Sequence, residues 1–337
     1  MVSICTTLQC PFPEYKFNMN IFQLCVTLIT YPFIIQVSGG GQWCYNSQNP
    51  MCGPDHWKDI SHNCGGDHQS PINIEKAKVK RDNHLDDITF QGYDHAPPGQ
   101  WKLMNDGHSV LLSLSGDIYI SGTGLPNKYK ALQFHFHWGS PNKDGSEHTV
   151  DGKQFPIELH IVHMNTKFSS ITEAKKDPEG LAVLGILITV GEAENPSYST
   201  LVAAMKNVSL EGDFIEIPSF ALESILPPQN KLSRYYRYQG SLTTPDCSEA
   251  VIWTVFEHPI SISQTQLRIL TDTAYFTAQG EALLKIKDNF RPPQPLKGRK
   301  VSASKDATVS SSAALRTSVL TLTLLYLNLI FIEKVYV

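Results

Sequence analysis

In ALQFHFHWGS, residues 131–140, His135 and His137 stand one residue apart inside an apolar, aromatic run. The run reads as a β-strand, and residues two apart in a strand share a face. Leu132, Phe134, Phe136 and Trp138 then line one side, and Gln133, His135 and His137 the other. Same-face neighbours lie about 6.6–6.8 Å apart along a strand, close enough for two imidazoles to tilt onto one ion with bonds of about 2.0–2.1 Å. Catalytic zinc commonly keeps three protein ligands and one open position, so a third ligand is needed. IELHIVHM, residues 157–164, offers two histidines on opposite faces. His163 shares its side with Ile157, Leu159 and Ile161, the profile of a packed core ring. His160 shares its side with Glu158 and Val162, and a carboxylate there can hold one imidazole proton while the other nitrogen binds metal. The spacing favours His160, and Gln133 is similarly placed to support His135. Such a three-histidine site lowers the pKa of a bound water to about 7. A zinc protease would carry His-Glu-x-x-His on a helix; that motif is absent and these histidines lie on strands.

The elements that must position these rings are mostly strands. ITFQGY, HSVLLSLSG, DIYISG, LAVLGILITV and AVIWTVFEHPI join the two histidine runs as short alternating or apolar stretches bounded by Gly, Pro, Asn and Asp, the signature of strands and turns. Helical patterning is confined to YSTLVAAMKNV and SQTQLRILTDTAY. Residues 42 to about 300 hold no repeat, long linker or low-complexity tract, which predicts one mostly β (α+β) domain with a few peripheral helices. The 337 residues are 41% hydrophobic and 18% charged, with a formal charge of -4. The basic residues are scattered and no RNA-binding or zinc-finger pattern occurs, which excludes nucleic acid as the expected partner.

Both ends read as processing signals. From Met19, a second candidate start, MNIFQLCVTLITYPFIIQVSGGG is uncharged and apolar over Ile21–Val37 and closes on small residues. This predicts a leader over 1–41 with a secretory signal peptide at about 19–40; a membrane-anchoring helix is the competing reading. Residues 301–337 run from small and polar to apolar, the pattern of a glycolipid (GPI) attachment signal removed on maturation, with Ser310, Ser311 and Ser312 as anchor candidates. The charged Glu333–Lys334 pair near the terminus keeps a short single-pass helix as the alternative. With Cys5, Cys10 and Cys25 in the leader, Cys44, Cys52, Cys64 and Cys247 remain, an even number in a chain routed for export, where disulfides persist. Three pairings satisfy that count. Zinc-thiolate ligation is disfavoured because no Cys-x-x-Cys occurs. Asn207-Val208-Ser209 is the single glycosylation sequon.

QFHFHWGS, GSEHTVDG, ELHIVHMN, NDGHSV, QSPINI, GSLTTPDC and DNFRPPQPL resemble the α-class carbonic anhydrases across 43–300, in the family's order. The four retained cysteines and the C-terminal signal look most like the membrane-anchored fourth isoform of vertebrates. The resemblance implies one domain around a central, mainly antiparallel ten-stranded twisted sheet, with zinc (Zn2+) in a conical cleft. It implies His135, His137 and His160 as the ligands, in agreement with the face reading. Gln133 and Glu158 would support His135 and His160, and Asn289 would offer its backbone carbonyl to His137. It pairs Cys44 with Cys52 and Cys64 with Cys247.

The resemblance further implies that the Thr243 hydroxyl gives its proton to Glu147, so that its oxygen accepts the hydrogen of a zinc-bound hydroxide and aims a lone pair at the incoming carbon. Read alone, Glu147 is a solvated turn carboxylate and Thr243 a loop hydroxyl. Thr244 would contact bicarbonate or an inhibitor of the sulfonamide or anion type. Val162, Val183, Leu242, Val251 and Trp253 match the pocket for carbon dioxide, although each alone reads as core. His108 matches the proton-shuttle position, suited to it because histidine titrates near neutrality. Tyr45, Asn105 and Asp106 would line the water path. Asp106 replaces an asparagine of the best-known cytosolic isoform, and its charge is expected to raise the His108 pKa. Leu111 likewise replaces a polar cavity residue.

The function so implied is reversible hydration of carbon dioxide to bicarbonate and a proton by a monomeric zinc lyase. Its location would be the outer face of the plasma membrane, with bicarbonate transporters as candidate partners and pH regulation as its role. The rivals are a carbonic-anhydrase-like binding or adhesion module, which the intact ligand trio and the Glu147–Thr243 pair oppose, and a secreted ester hydrolase using the same chemistry.

Overall fold

The computed structural model describes residues 43–310 except 278, 279 and 281. Its strands begin with β1 (Asn73–Ile74), β2 (Lys80–Arg81), β3 (Ile88–Gln91), β4 (Gln100–Asn105) and β5 (Val110–Ser113). They continue with β6 (Tyr119–Gly122), β7 (Tyr129–Trp138), β8 (Thr149–Val150), β9 (Ile157–Asn165) and β10 (Leu181–Gly191). The last are β11 (Phe214–Pro218), β12 (Tyr235–Gly240), β13 (Val251–Phe256), β14 (Ile260–Ser263) and β15 (Ser302–Ala303). Four α-helices lie among them: α1 (Trp57–Ile60), α2 (Ile171–Ala174), α3 (Pro196–Met205) and α4 (Gln264–Asp272). The two longer ones fall on the two helical patterns. Asn195 caps α3 with Pro196 in its first turn, and Ser263 and Gln266 close a capping box on α4, which satisfies amide groups that a helix start leaves free.

One sheet of 13 strands dominates, with the order β11-β4-β5-β7-β9-β10-β13-β12-β15-β2 and β3, β6 and β14 attached beside it. The path of ten strands matches the expected architecture. Most pairings are antiparallel; β10 with β13, β10 with β14 and β15 with β2 are parallel. LAVLGILITV is nearly continuously apolar because β10 lies in the middle of the sheet, covered on both faces. Phe134, Phe136, Trp138, Leu159, Ile161, Leu184 and Ile186 pack into the larger core on one face. Val162, Val183, Leu187, Val251 and Trp253 belong to a second cluster on the other.

Two expectations need correction. Leu132 does not share the face of Phe134: the β7–β9 register shifts between Ala131 and Gln133, a bulge that adds one residue and reverses the alternation there. Ala131 and Phe134 both enter the core, while Leu132 is half-buried. The fold also continues past 300. β15 pairs with β12 and β2, Ala303, Ser304 and Ala307 are buried, and the Arg81 guanidinium donates to the carbonyls of Ser304, Lys305 and Ala307. Ser310 donates its N–H to the Lys76 carbonyl at 3.1 Å. The leader, Ser311, Ser312 and the apolar tail lie outside the described residues. Among those described, no helix is long and apolar enough to cross a membrane.

Candidate metal centre

The antiparallel register of β7 and β9 sets His135 opposite His160 and His137 opposite Glu158. The three ring centroids are 5.0 Å (His135–His137), 5.3 Å (His135–His160) and 4.6 Å (His137–His160) apart. One nitrogen from each ring lies within 4.8 Å of the others. The opposite nitrogens are occupied. His135 Nδ1 meets Gln133 Oε1 at 2.9 Å, His137 Nδ1 meets the Asn289 carbonyl at 2.8 Å, and His160 Nε2 meets Glu158 Oε1 at 2.8 Å. These contacts leave Nε2 of His135, Nε2 of His137 and Nδ1 of His160 as lone-pair donors. His137 Nε2 is buried and has no hydrogen-bond partner among the described residues, an orphaned lone pair whose chemistry fits a metal ion. Burial depresses all three imidazoles, His137 to about 3. The neutral ring, which is the form that binds metal, is therefore favoured.

Glu158 is held from four directions. Its Oε1 accepts from His148 Nδ1 at 2.7 Å as well as from His160, and its Oε2 accepts the N–H groups of Glu147 and His148 at 2.9 and 2.7 Å. Burial alone would raise this carboxyl, but His148 and His160 hold it well below the usual range. His148 continues through Nε2 to the Tyr238 hydroxyl at 2.7 Å, and Tyr238 donates to Ser70 Oγ at 2.9 Å. Gly185, opposite His160 in β10, makes room: a Cβ there would stand 3.1 Å from Glu158 Oε1. His148, Glu158 and His160 also form a ligand-like group, but both nitrogens of His148 are already bonded, so its role is to hold Glu158. Reading the sequence missed His148, since nothing in GSEHTVDG marks the histidine as buried.

The same contacts bring Glu147 inward. It is not a solvated turn residue but 0% exposed. Oε1 accepts the Arg291 N–H at 2.8 Å, while Oε2 lies 3.4 Å from His137 Nε2 and 3.8 Å from His160 Nδ1 with no hydrogen-bond partner of good geometry. Burial raises this carboxyl well above its ordinary value; the Arg291 N–H and the Thr243 hydroxyl pull the other way. Thr243 sits in a loop tied by Leu242 N–H to Ser248 O and Cys247 N–H to Thr244 O, and by the Cys64–Cys247 disulfide. Cys44–Cys52 is the other bridge.

Beside the rings, Gln133, Val162, Val183 and Trp253 form one row of cross-strand neighbours over β7, β9, β10 and β13. Val162, Val183, Val251 and Trp253 are buried, with Leu242 partly buried against them, and the Trp253 ring is 4.7 Å from that of His160. Leu111 pairs with His135 across β5 and β7. Thr244 is half-buried. His163 faces the larger core, where Tyr93 OH lies 2.6 Å from its Nε2.

His108 stacks on Trp43 at 3.7 Å between centroids, with Tyr45 6.4 Å and Phe276 5.9 Å away. Trp43 went unnoticed in the sequence. Asp106 Oδ1 accepts the N–H groups of His108 and Ser109, and its charge raises the His108 pKa as expected. Burial is the larger effect, so the net shift is downward. Asn105 is 0% exposed, its amide donates to the Ser209 and Tyr275 carbonyls, and its oxygen accepts the Gly107 N–H. Tyr45 is buried, its phenol pushed up by burial and then by Glu147 and Asp106. Asn207 is exposed just after α3.

A family model described as eukaryotic-type carbonic anhydrase matches residues 52–305. Carbonic anhydrase 15 of Mus musculus is 47% identical over 285 residues, covering 83% of this chain and 88% of that protein. Carbonic anhydrase 4 of Rattus norvegicus is 39% identical over 287 residues, covering 84% and 91%. Carbonic anhydrase 12 of Homo sapiens is 39% identical over 295 residues, covering 87% and 81%.

Proposed function

The chain belongs to the eukaryotic-type carbonic anhydrases, and from that premise we propose that His135, His137 and His160 hold the zinc with which it hydrates carbon dioxide at the outer cell surface. The observation carrying this reading is the ring trio: one free nitrogen on each within 4.8 Å of the others, and every opposite nitrogen fixed by a hydrogen bond. When bound, zinc supplies the Lewis acidity that makes water nucleophilic at neutral pH. Thr243 gives its proton to Glu147 and turns its own oxygen lone pair toward the reacting oxygen, fixing the line of attack. Val162, Val183, Leu242, Val251 and Trp253 exclude water beside the rings, where an apolar substrate gains by leaving solvent. Thr244 contacts the bicarbonate product. The test is zinc stoichiometry together with carbon dioxide hydration on the full chain made in a secreting cell. A protein that carries the two disulfides but neither retains zinc nor speeds hydration would refute the reading.

His108 takes the proton left by each turnover and passes it to buffer, along a path that Tyr45 and Asp106 flank. The neutral ring is the acceptor, so kcat for hydration rises with pH through the His108 pKa. Burial sets that midpoint below the ordinary histidine value, and the Asp106 charge opposes the drop. Asp106→Asn removes the opposing charge, and the kcat midpoint moves to lower pH in stopped-flow hydration. A shift upward, or none, would show that Asp106 does not act on His108.

The two disulfides support export. The clamp on 301–310 ends at Ser310, the first of the three anchor candidates, and Asn207 carries glycan. Phosphatidylinositol-specific phospholipase is expected to release most of the activity from intact cells. Retention under conditions that release a known lipid-anchored control favours a spanning helix.

A further inference from the structure

Asn289 lends more to the site than its carbonyl. Its side-chain Oδ1 accepts the Trp138 N–H at 2.7 Å. Its Nδ2 donates to the Phe136 carbonyl at 3.2 Å and to the His108 carbonyl at 2.9 Å. Its backbone N–H reaches the Trp138 carbonyl at 3.2 Å while its own carbonyl takes His137 Nδ1 at 2.8 Å. The residue is 0% exposed, and each of its polar atoms is used. One carboxamide thus bridges the strand that carries His137 and the loop that carries His108.

The bridge stands where the sheet stops. The β5–β7 pairing reaches Leu111 opposite His135 and goes no further toward His108. Before β5 the chain turns through Asn105–Gly107, with Gly107 at φ 82° and Asp106 Oδ1 capping the turn. The carbonyls of Phe136 and His108 have lost ladder partners there, and the two hydrogens of Asn289 Nδ2 supply one to each. Ser109 Oγ adds a contact to the Phe136 carbonyl at 2.5 Å. The backbone of His108 is therefore fixed to the metal-site strand rather than left to a glycine-flanked loop.

We propose that Asn289 is a positioning residue for proton transfer, its side-chain amide fixing His108 relative to the ring of His137. The proposal rests on the reading of His108 as the shuttle. Proton relay through water depends on geometry, and a displacement of about 1 Å can cost up to about a hundredfold in rate. Hydration precedes proton export, so a displaced shuttle lowers kcat and spares kcat/KM. A merely structural defect would lower both or shed the metal.

The test uses the zinc-loaded full chain with Asn289→Asp, which keeps the acceptor for Trp138 and the backbone carbonyl for His137 but removes both Nδ2 donors. Asn289→Ala is measured in parallel. In weak buffer kcat should fall about tenfold, with kcat/KM within about twofold and zinc content unchanged. Added imidazole at high concentration should restore kcat by replacing the relay. His108→Ala should show the same split, and the double variant should be no slower than His108→Ala alone. If His108→Ala leaves kcat in weak buffer intact, the shuttle reading itself fails. If His108→Ala shows the split but both Asn289 variants do not, lose kcat and kcat/KM together, or lose zinc, the positioning role is overturned.

Discussion

His160→Ala is expected to lose zinc and carbon dioxide hydration together, while His163→Ala keeps the metal. The two rings lie three residues apart on β9 but on opposite faces. His160 opposes His135 across the β7–β9 ladder, and its Nε2 is held by Glu158. Removing it leaves two imidazoles and takes one of the four hydrogen-bond contacts from the buried Glu158 carboxylate. Two nitrogens do not make a competent zinc site, and without the ion the attacking water keeps its bulk pKa of about 15.7 instead of about 7. A loss of hydration on the order of a thousandfold or more follows, read by stopped-flow, with zinc stoichiometry near zero by atomic spectroscopy. His163 belongs instead to the core with Tyr93, and burial depresses it to about 4. Its removal opens a cavity and strands a buried hydroxyl at a cost of about 2–5 kcal/mol, so thermal stability falls while the metal and its chemistry remain. The reverse result, metal lost with His163→Ala and kept with His160→Ala, would refute the facial assignment.

That assignment was legible from the sequence because strand alternation is a local property: Glu158, His160 and Val162 must share a side in any regular strand. The same rule misread Leu132, because a bulge is a departure from the alternation and no residue in ALQFHF announces it. Asp106 was read correctly as a charge that raises the His108 pKa, yet burial, which depends on the chain around Trp43 and Phe276, outweighed it. His148, Arg291 and the carboxamide of Asn289 act through contacts 10 to 181 residues distant in sequence. They could not be seen before the sheet brought those segments together. The family resemblance carried Glu147 and Thr243, which the residues alone would have left as a turn carboxylate and a loop hydroxyl. The break at 300 followed composition, whereas the fold is closed by Arg81 gripping carbonyls, a device with no compositional trace.

Glu147→Gln should cut kcat/KM about a hundredfold with zinc still bound, roughly 2.7 kcal/mol of transition-state stabilisation. The substitution preserves size and alters only which atoms donate. Arg291 decides the orientation of the new amide: its backbone N–H donates to Oε1 from 2.8 Å, so only an oxygen can stand there. The amide NH2 must then take the place of Oε2, on the side of Thr243 and the histidines. Thr243, which in the proposed device donates to the carboxylate, becomes an acceptor of that N–H and presents its own hydrogen outward. A hydroxyl that offered a lone pair to the reacting oxygen now offers a proton, and the attack geometry is lost while the three rings stay in place. The carboxylate form is required for this polarity. Burial is the larger effect and raises the Glu147 carboxyl, while the Arg291 N–H and the Thr243 hydroxyl oppose it; a divalent ion held by the neighbouring rings would oppose it further and favour the carboxylate. Thr243→Val should produce a comparable loss, and the double variant should be little worse than either single one, since residues acting as a unit are not additive. Glu147→Gln with kcat/KM within about threefold of wild type, or losses that multiply in the double variant, would show that the pair does not act as one orienting device.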